Sequence, residues 1–194
     1  MGFQAFLFGQ PRFISNQNPL RELQSNRLSI LLCYLILEGN PSLSRVQIAR
    51  TLWPAHTETD ALRNLRAILH RLLSIFPELK QYLSIERDEI IWQKSREIWC
   101  DVRQMESLWA QVATPASLQE AIQLYRGPLL ENQHSPWLTH YRHSLKQRFL
   151  NWLREAARLF EQKRQYSSTR IALELLLLLD PSESVFALDK SIQS

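Results

Sequence analysis

The chain has 194 residues, 45% of them hydrophobic and 22% charged, which excludes an intrinsically disordered protein and suits one compact domain or two small ones. Four glycines and nine prolines exclude a collagen-like chain, and two cysteines, Cys33 and Cys100, exclude a disulfide scaffold or a four-cysteine zinc site. The net charge of +4, from 23 Lys and Arg against 19 Asp and Glu, is a mild bias toward anionic partners.

The first half opens with strand signals. Phe3 to Phe8 is short and aromatic and ends at Gly9-Gln10-Pro11; Arg12-Phe13-Ile14 follows, then the polar turn Ser15 to Asn18 and a third short strand at Pro19 and Leu20. A small antiparallel sheet is expected. Leu28, Leu31, Leu32, Leu35 and Ile36 then recur at helical spacing and stop at Glu38-Gly39-Asn40-Pro41. Cys33, inside this helix, reads as a small buried hydrophobe.

A second helix is expected from Ser44, whose Ser44-Arg45-Val46-Gln47 run has the capping-box form, and it ends at Trp53-Pro54. A third runs to Phe76, with Leu62, Leu65, Leu69, Leu72 and Phe76 in a 3-4 rhythm. Its other side carries Arg63, Asn64, Arg66, Ala67, His70 and Arg71. Tyr82 to Glu86 and Ile90 to Gln93 flank the polar tip Arg87-Asp88-Glu89 as a hairpin. Strands, two helices, an amphipathic helix and a hairpin follow the order of a winged helix.

Beyond Ile98-Trp99-Cys100 the pattern is helical. Asp101 can cap a helix through Val112, and Ser117 can cap another that ends at Arg126-Gly127-Pro128. Ser135-Pro136 opens a long one with Leu138, Tyr141, Leu145, Phe149, Trp152, Leu153, Ala156 and Phe160 on one face. A final pair, 169–179 and 182–192, is broken at Asp180-Pro181. Short connections between antiparallel helices suggest a helix-pair solenoid.

These motifs, in their order, resemble the bacterial regulators that join an OmpR-type winged helix to a bacterial transcriptional activator domain, as in the Streptomyces antibiotic regulatory proteins. The matching stretches are Leu7 to Arg12, the helix 31–37, Ser44 to Pro54, Ala61 to Arg66, Cys100-Asp101-Val102, Ala121 to Leu130, Trp137 with Arg142, and Leu176 to Pro181. The resemblance implies a mainly α fold with small antiparallel β elements: a winged helix-turn-helix over 1–98, then an α-helical, tetratricopeptide-like domain over 99–194. The family domain carries at least one further helix pair, so the second domain is expected to be incomplete at its C-terminal end, as the front of a longer protein, a cut piece of one or a shortened relative. It also implies a sequence-specific, DNA-binding transcriptional regulator whose recognition helix, about 60–76, enters the major groove.

The resemblance implies that Arg63, Asn64, Ala67 and Arg71 face the major groove, and the periodicity agrees, since all four lie outside the apolar stripe. Arg pairs bidentately with guanine and Asn with adenine. Arg45, Arg50, Arg66 and Arg87 are the candidates for phosphate contacts, which position without reading sequence. The partners implied are double-stranded DNA, RNA polymerase and a second protomer on direct repeats, or a sensor module. No cofactor is implied.

An enzyme is not expected: there is no P-loop, no His-Glu-x-x-His and no Gly-x-Ser-x-Gly. His134, His140 and His143 lack acidic or thiol neighbours, so they read as surface residues and not as metal ligands. No basic region precedes the apolar residues of the N-terminus, and Ala172 to Leu179 is far short of the about 20 residues a membrane span needs. With two cysteines the expected location is the cytoplasm. The rival reading is a protein–protein interaction module with the winged helix as scaffold. Two features favour it: Leu73, where the family places a basic residue, and the Glu86, Asp88 and Glu89 carboxylates at the hairpin tip. The basic residues from Arg142 to Arg164 read as a solvated helix face, or as an added phosphate-tracking strip.

Overall fold

The computed structural model describes residues 2–24, 26–93 and 98–181. They form seven strands and seven α-helices in the order β1 (Phe3–Phe6), β2 (Arg12–Ser15), β3 (Asn18–Pro19), α1 (Asn26–Leu37), β4 (Ser42–Ser44), α2 (Arg45–Leu52), α3 (Glu58–Ile75), β5 (Leu83–Ile85), β6 (Glu89–Trp92), β7 (Ile98–Cys100), α4 (Asp101–Trp109), α5 (Pro115–Leu124), α6 (Pro136–Gln162) and α7 (Tyr166–Leu179). Short 3-10 helices cover Arg21–Gln24 and Pro77–Gln81. The fold is mainly helical with small sheets, as expected. The expected helix over 182–192 and the connection 94–97 lie outside the described residues.

The chain divides into two compact units, Met1–Arg103 with Gly127–Thr139, and Gln104–Arg126 with His140–Ser194. A division between 98 and 99 does not include this return of 127–139 to the first unit.

In the first unit, β1 pairs antiparallel with β2 (Phe3 opposite Ser15) and parallel with β7 (Phe3 opposite Ile98), in a sheet of order β3-β2-β1-β7. Alternation turns Phe3, Ala5 and Phe13 inward, where the Phe3 ring lies 4.9 Å from Phe76 and 5.9 Å from Tyr82 between centroids. The middle of α1 is buried on every side: Leu28, Leu31, Leu32, Cys33, Tyr34, Leu35 and Ile36 are all core residues. Its last carbonyls would be orphans. Trp92 Nε1 donates to that of Leu35 at 2.8 Å, and Arg103 donates to that of Ile36. Gly39, at φ +70°, then lets the chain leave the helix.

Residues 127–131 strap the end of β1. Gly9 donates to the Pro128 carbonyl at 2.9 Å, Leu130 to that of Leu7 at 2.8 Å and Glu131 to that of Gly9 at 2.9 Å. Gly127 sits at φ 128°, a conformation that L side chains rarely adopt, and a Cβ there would touch the Gly9 Cα at 3.4 Å. Further along, Trp137 packs edge-on against Tyr34 with centroids 5.1 Å apart.

Asp101 is fully buried at the first position of α4. Its carboxylate accepts from the N–H of Leu7 at 2.8 and 2.9 Å, of Phe8 at 3.1 Å and of Val102 at 2.9 Å. Burial pushes its pKa up to about 6 against the opposing pull of these donors.

In the second unit, Phe149 of α6 gathers Trp109 at 5.6 Å, Tyr125 at 5.4 Å and Trp152 at 6.3 Å between ring centroids. The cap of α5 is Thr114 and not Ser117: Pro115 occupies the first helical position, and Ser117, three residues after the cap, closes the box reciprocally. Ser135 does cap α6, accepting from Leu138 N at 3.2 Å.

Candidate nucleic-acid interface

The site grows from α2, a five-residue turn and α3. In α2, Ile48 and Ala49 face inward. The Ser44 hydroxyl accepts from Gln47 N at 3.5 Å, the forward half of the expected capping box. Thr57 caps α3, accepting from Asp60 N at 3.2 Å and donating to Asp60 Oδ2 at 2.8 Å. The helix starts at Glu58 and ends at Ile75, close to the expected 60–76. Ala61, Leu65, Leu69 and Leu72 are buried, while Leu62 is half-buried.

This packing decides which side chains remain outside. Arg63, Arg66, Ala67, His70 and Arg71 lie on the outer side, and Asn64 is half-buried at the edge of the same arc. The four expected base-facing positions thus share one side of α3, with His70 as a further member. Leu73 is half-buried, so its apolar side chain belongs partly to the core and removes little from the polar arc.

Two of the arginines already hold carboxylates. Arg63 Nη2 lies 2.5 Å from Asp60 Oδ1, and Arg50 Nη2 lies 2.6 Å from Glu58 Oε2. The arginine side chains are 73% and 70% exposed, so each pair is worth about 0–1 kcal/mol and can yield to a phosphate or a base. Both carboxylates sit in the first turn of α3, where the helix dipole favours negative charge. The Asp60–Arg63 spacing is legible in the sequence as an i,i+3 pair. The Arg50–Glu58 pair crosses the turn and is not.

The β5–β6 hairpin belongs to a three-stranded sheet of order β4-β6-β5, with Ser44 opposite Glu89. This registers the hairpin on the start of α2. Arg45 N donates to the Asp88 carbonyl at 2.9 Å, and its Nη1 donates to the carbonyls of Glu86 and Arg87, each at 3.2 Å. Arg45 is half-buried and Arg87 is exposed at the tip. Of the four arginines expected at phosphates, Arg50, Arg66 and Arg87 stand exposed, and Arg45 anchors the hairpin.

The tip carboxylates are partly spent within the sheet. Ser84 Oγ donates to Glu86 at 2.6 Å, and Ser42 Oγ donates to Glu89. In the second unit, Arg148 pairs with Glu106 and stacks over Trp109, its Cζ 5.3 Å from the ring centroid, so it is not a bare surface cation.

Among the described residues no group of three His, Cys, Asp or Glu is placed to hold a metal ion, and no helix is long and apolar enough to cross a membrane. Cys33 and Cys100 are both buried, and burial pushes the Cys100 thiol up to about 12, which suits structural and not nucleophilic thiols. No protein-family model and no curated protein matches this chain.

Proposed function

We propose that the chain is a sequence-specific, DNA-binding transcriptional regulator. Its first unit acts as a winged helix-turn-helix, with α3 as recognition helix and the β5–β6 hairpin as wing. Its second unit acts as a tetratricopeptide-like activator domain that meets RNA polymerase, a second protomer or a sensor module.

The observation that carries the reading is the division of α3: Ala61, Leu65, Leu69 and Leu72 inside, Arg63, Arg66, Ala67 and Arg71 outside. An outer arc with three arginines and no carboxylate beyond the first turn suits an anionic groove. An α-helix about 10–12 Å across with its side chains also fits a major groove about 12 Å wide.

The test is binding to a randomised double-stranded DNA pool at several salt concentrations. Enrichment of a short motif, with log affinity falling linearly in log salt, is expected. Failure to bind even at low salt would transfer the reading to a protein-interaction module, for which the carboxylates around Arg87 are the supporting feature.

A further inference from the structure

We infer that the outer arc of α3 reads a thymine set between two guanines, the thymine through the Ala67 methyl and the guanines through Arg63 and Arg71. The inference rests on the reading of α3 as a recognition helix and extends it to the bases recognised.

At about 100° per residue, Ala67 lies within about 25° of the direction opposite the buried line Ala61, Leu65, Leu69 and Leu72. It therefore lies near the middle of the outer arc. The side chain there is a single methyl. It leaves the helix backbone free to move close, and it has no hydrogen bond to offer. The apolar group that the major groove presents is the C5 methyl of thymine.

Arg63 and Arg71 lie one turn before and one turn after Ala67, each rotated from it by about 40° in opposite senses. Both are exposed. Asp60 takes one Nη2–H of Arg63 and holds that guanidinium at the N-terminal end of the arc, while the rest of its fork has no protein partner among the described residues. The guanine O6 and N7 acceptors match such a fork. The arginines are about 12 Å apart along the axis, or three to four base-pair steps of about 3.4 Å. Arg66 and His70 lie on one flank of this line, and Asn64 lies on the other, at the edge of the arc.

The experiment modifies the DNA, so no variant needs to fold differently. After selection from the random pool, each thymine of the enriched motif is replaced in turn by deoxyuridine, and each guanine by 7-deazaguanine. One thymine, between guanines three to four base pairs apart, should lose about fourfold in affinity on losing its methyl. Those guanines should be the most sensitive to loss of N7. Ala67→Gly should bind the thymine and uracil sites equally, with circular dichroism confirming the helix. Arg71→Ala should abolish the sensitivity to 7-deazaguanine at one guanine only. A selected motif indifferent to uracil, or one lacking the paired guanines, overturns this inference and leaves DNA reading intact. No selected motif at all overturns the DNA reading itself.

Discussion

The Arg45 guanidinium donates to the main-chain carbonyl of Arg87 at 3.2 Å, so one arginine of the candidate interface holds the backbone of another. The same side chain reaches the Glu86 carbonyl at 3.2 Å, and the Arg45 N–H reaches the Asp88 carbonyl at 2.9 Å. The hairpin tip is thereby fixed to the first turn of α2. Its direction is set by backbone carbonyls and not by its own charges.

Arg45→Ala is expected to lower stability by about 0.5–1.5 kcal/mol, the net worth of hydrogen bonds to exposed carbonyls that water can also reach. DNA affinity should fall with it, but the slope of log affinity against log salt should stay the same. Removing a direct phosphate partner would instead reduce that slope by about one. Titrations at four salt concentrations separate positioning of the hairpin from direct phosphate binding.

Arg71→Ala should behave differently. Arg71 is exposed on α3, so its removal should leave thermal stability within about 0.5 kcal/mol of the parent. Affinity for the enriched sequence should fall by about 1–3 kcal/mol, while affinity for random DNA falls much less. Equal losses on both sequences would assign Arg71 to the phosphates.

Asp101 makes the first unit sensitive to pH. Its folded pKa of about 6 lies above the usual 3.8, so the folded state holds the proton more tightly than the unfolded chain. The stability it contributes is therefore complete below about pH 4 and is lost as the pH rises through 6, up to about 3 kcal/mol. Asp101→Asn should flatten this part of the profile. It should also be less stable throughout, because a carboxamide cannot accept from Leu7, Phe8 and Val102 together. Urea midpoints of both proteins between pH 4 and 8 are the measurement.

Gly127→Ala should destabilise the first unit by about 1–3 kcal/mol, although residue 127 lies far along the chain from the strands it supports. The added Cβ meets the Gly9 Cα at 3.4 Å in a backbone conformation, φ 128°, that suits glycine. An unfolding midpoint within error of the parent would mean that the backbone at 127 takes a Cβ without strain.

Periodicity alone determined most of the elements and nearly all of α3. The 3-4 rhythm of Leu65, Leu69 and Leu72 fixes which side of that helix is inside, and hence that Arg63, Ala67 and Arg71 are outside. The hairpin and the α6 start were equally legible, because a polar tip and a Ser-Pro pair act locally. Only the tertiary structure decided what Arg45, Arg50 and Asp101 do. Arg45 and Asp101 bind main-chain groups far along the chain, which leave no mark on the sequence, and Arg50 meets Glu58 only because the turn between α2 and α3 brings the two side chains together. The short β4 strand and the return of 127–139 to the first unit were hidden for the same reason. Three residues carry little periodic signal, and a strap held by main-chain hydrogen bonds can be written in many sequences.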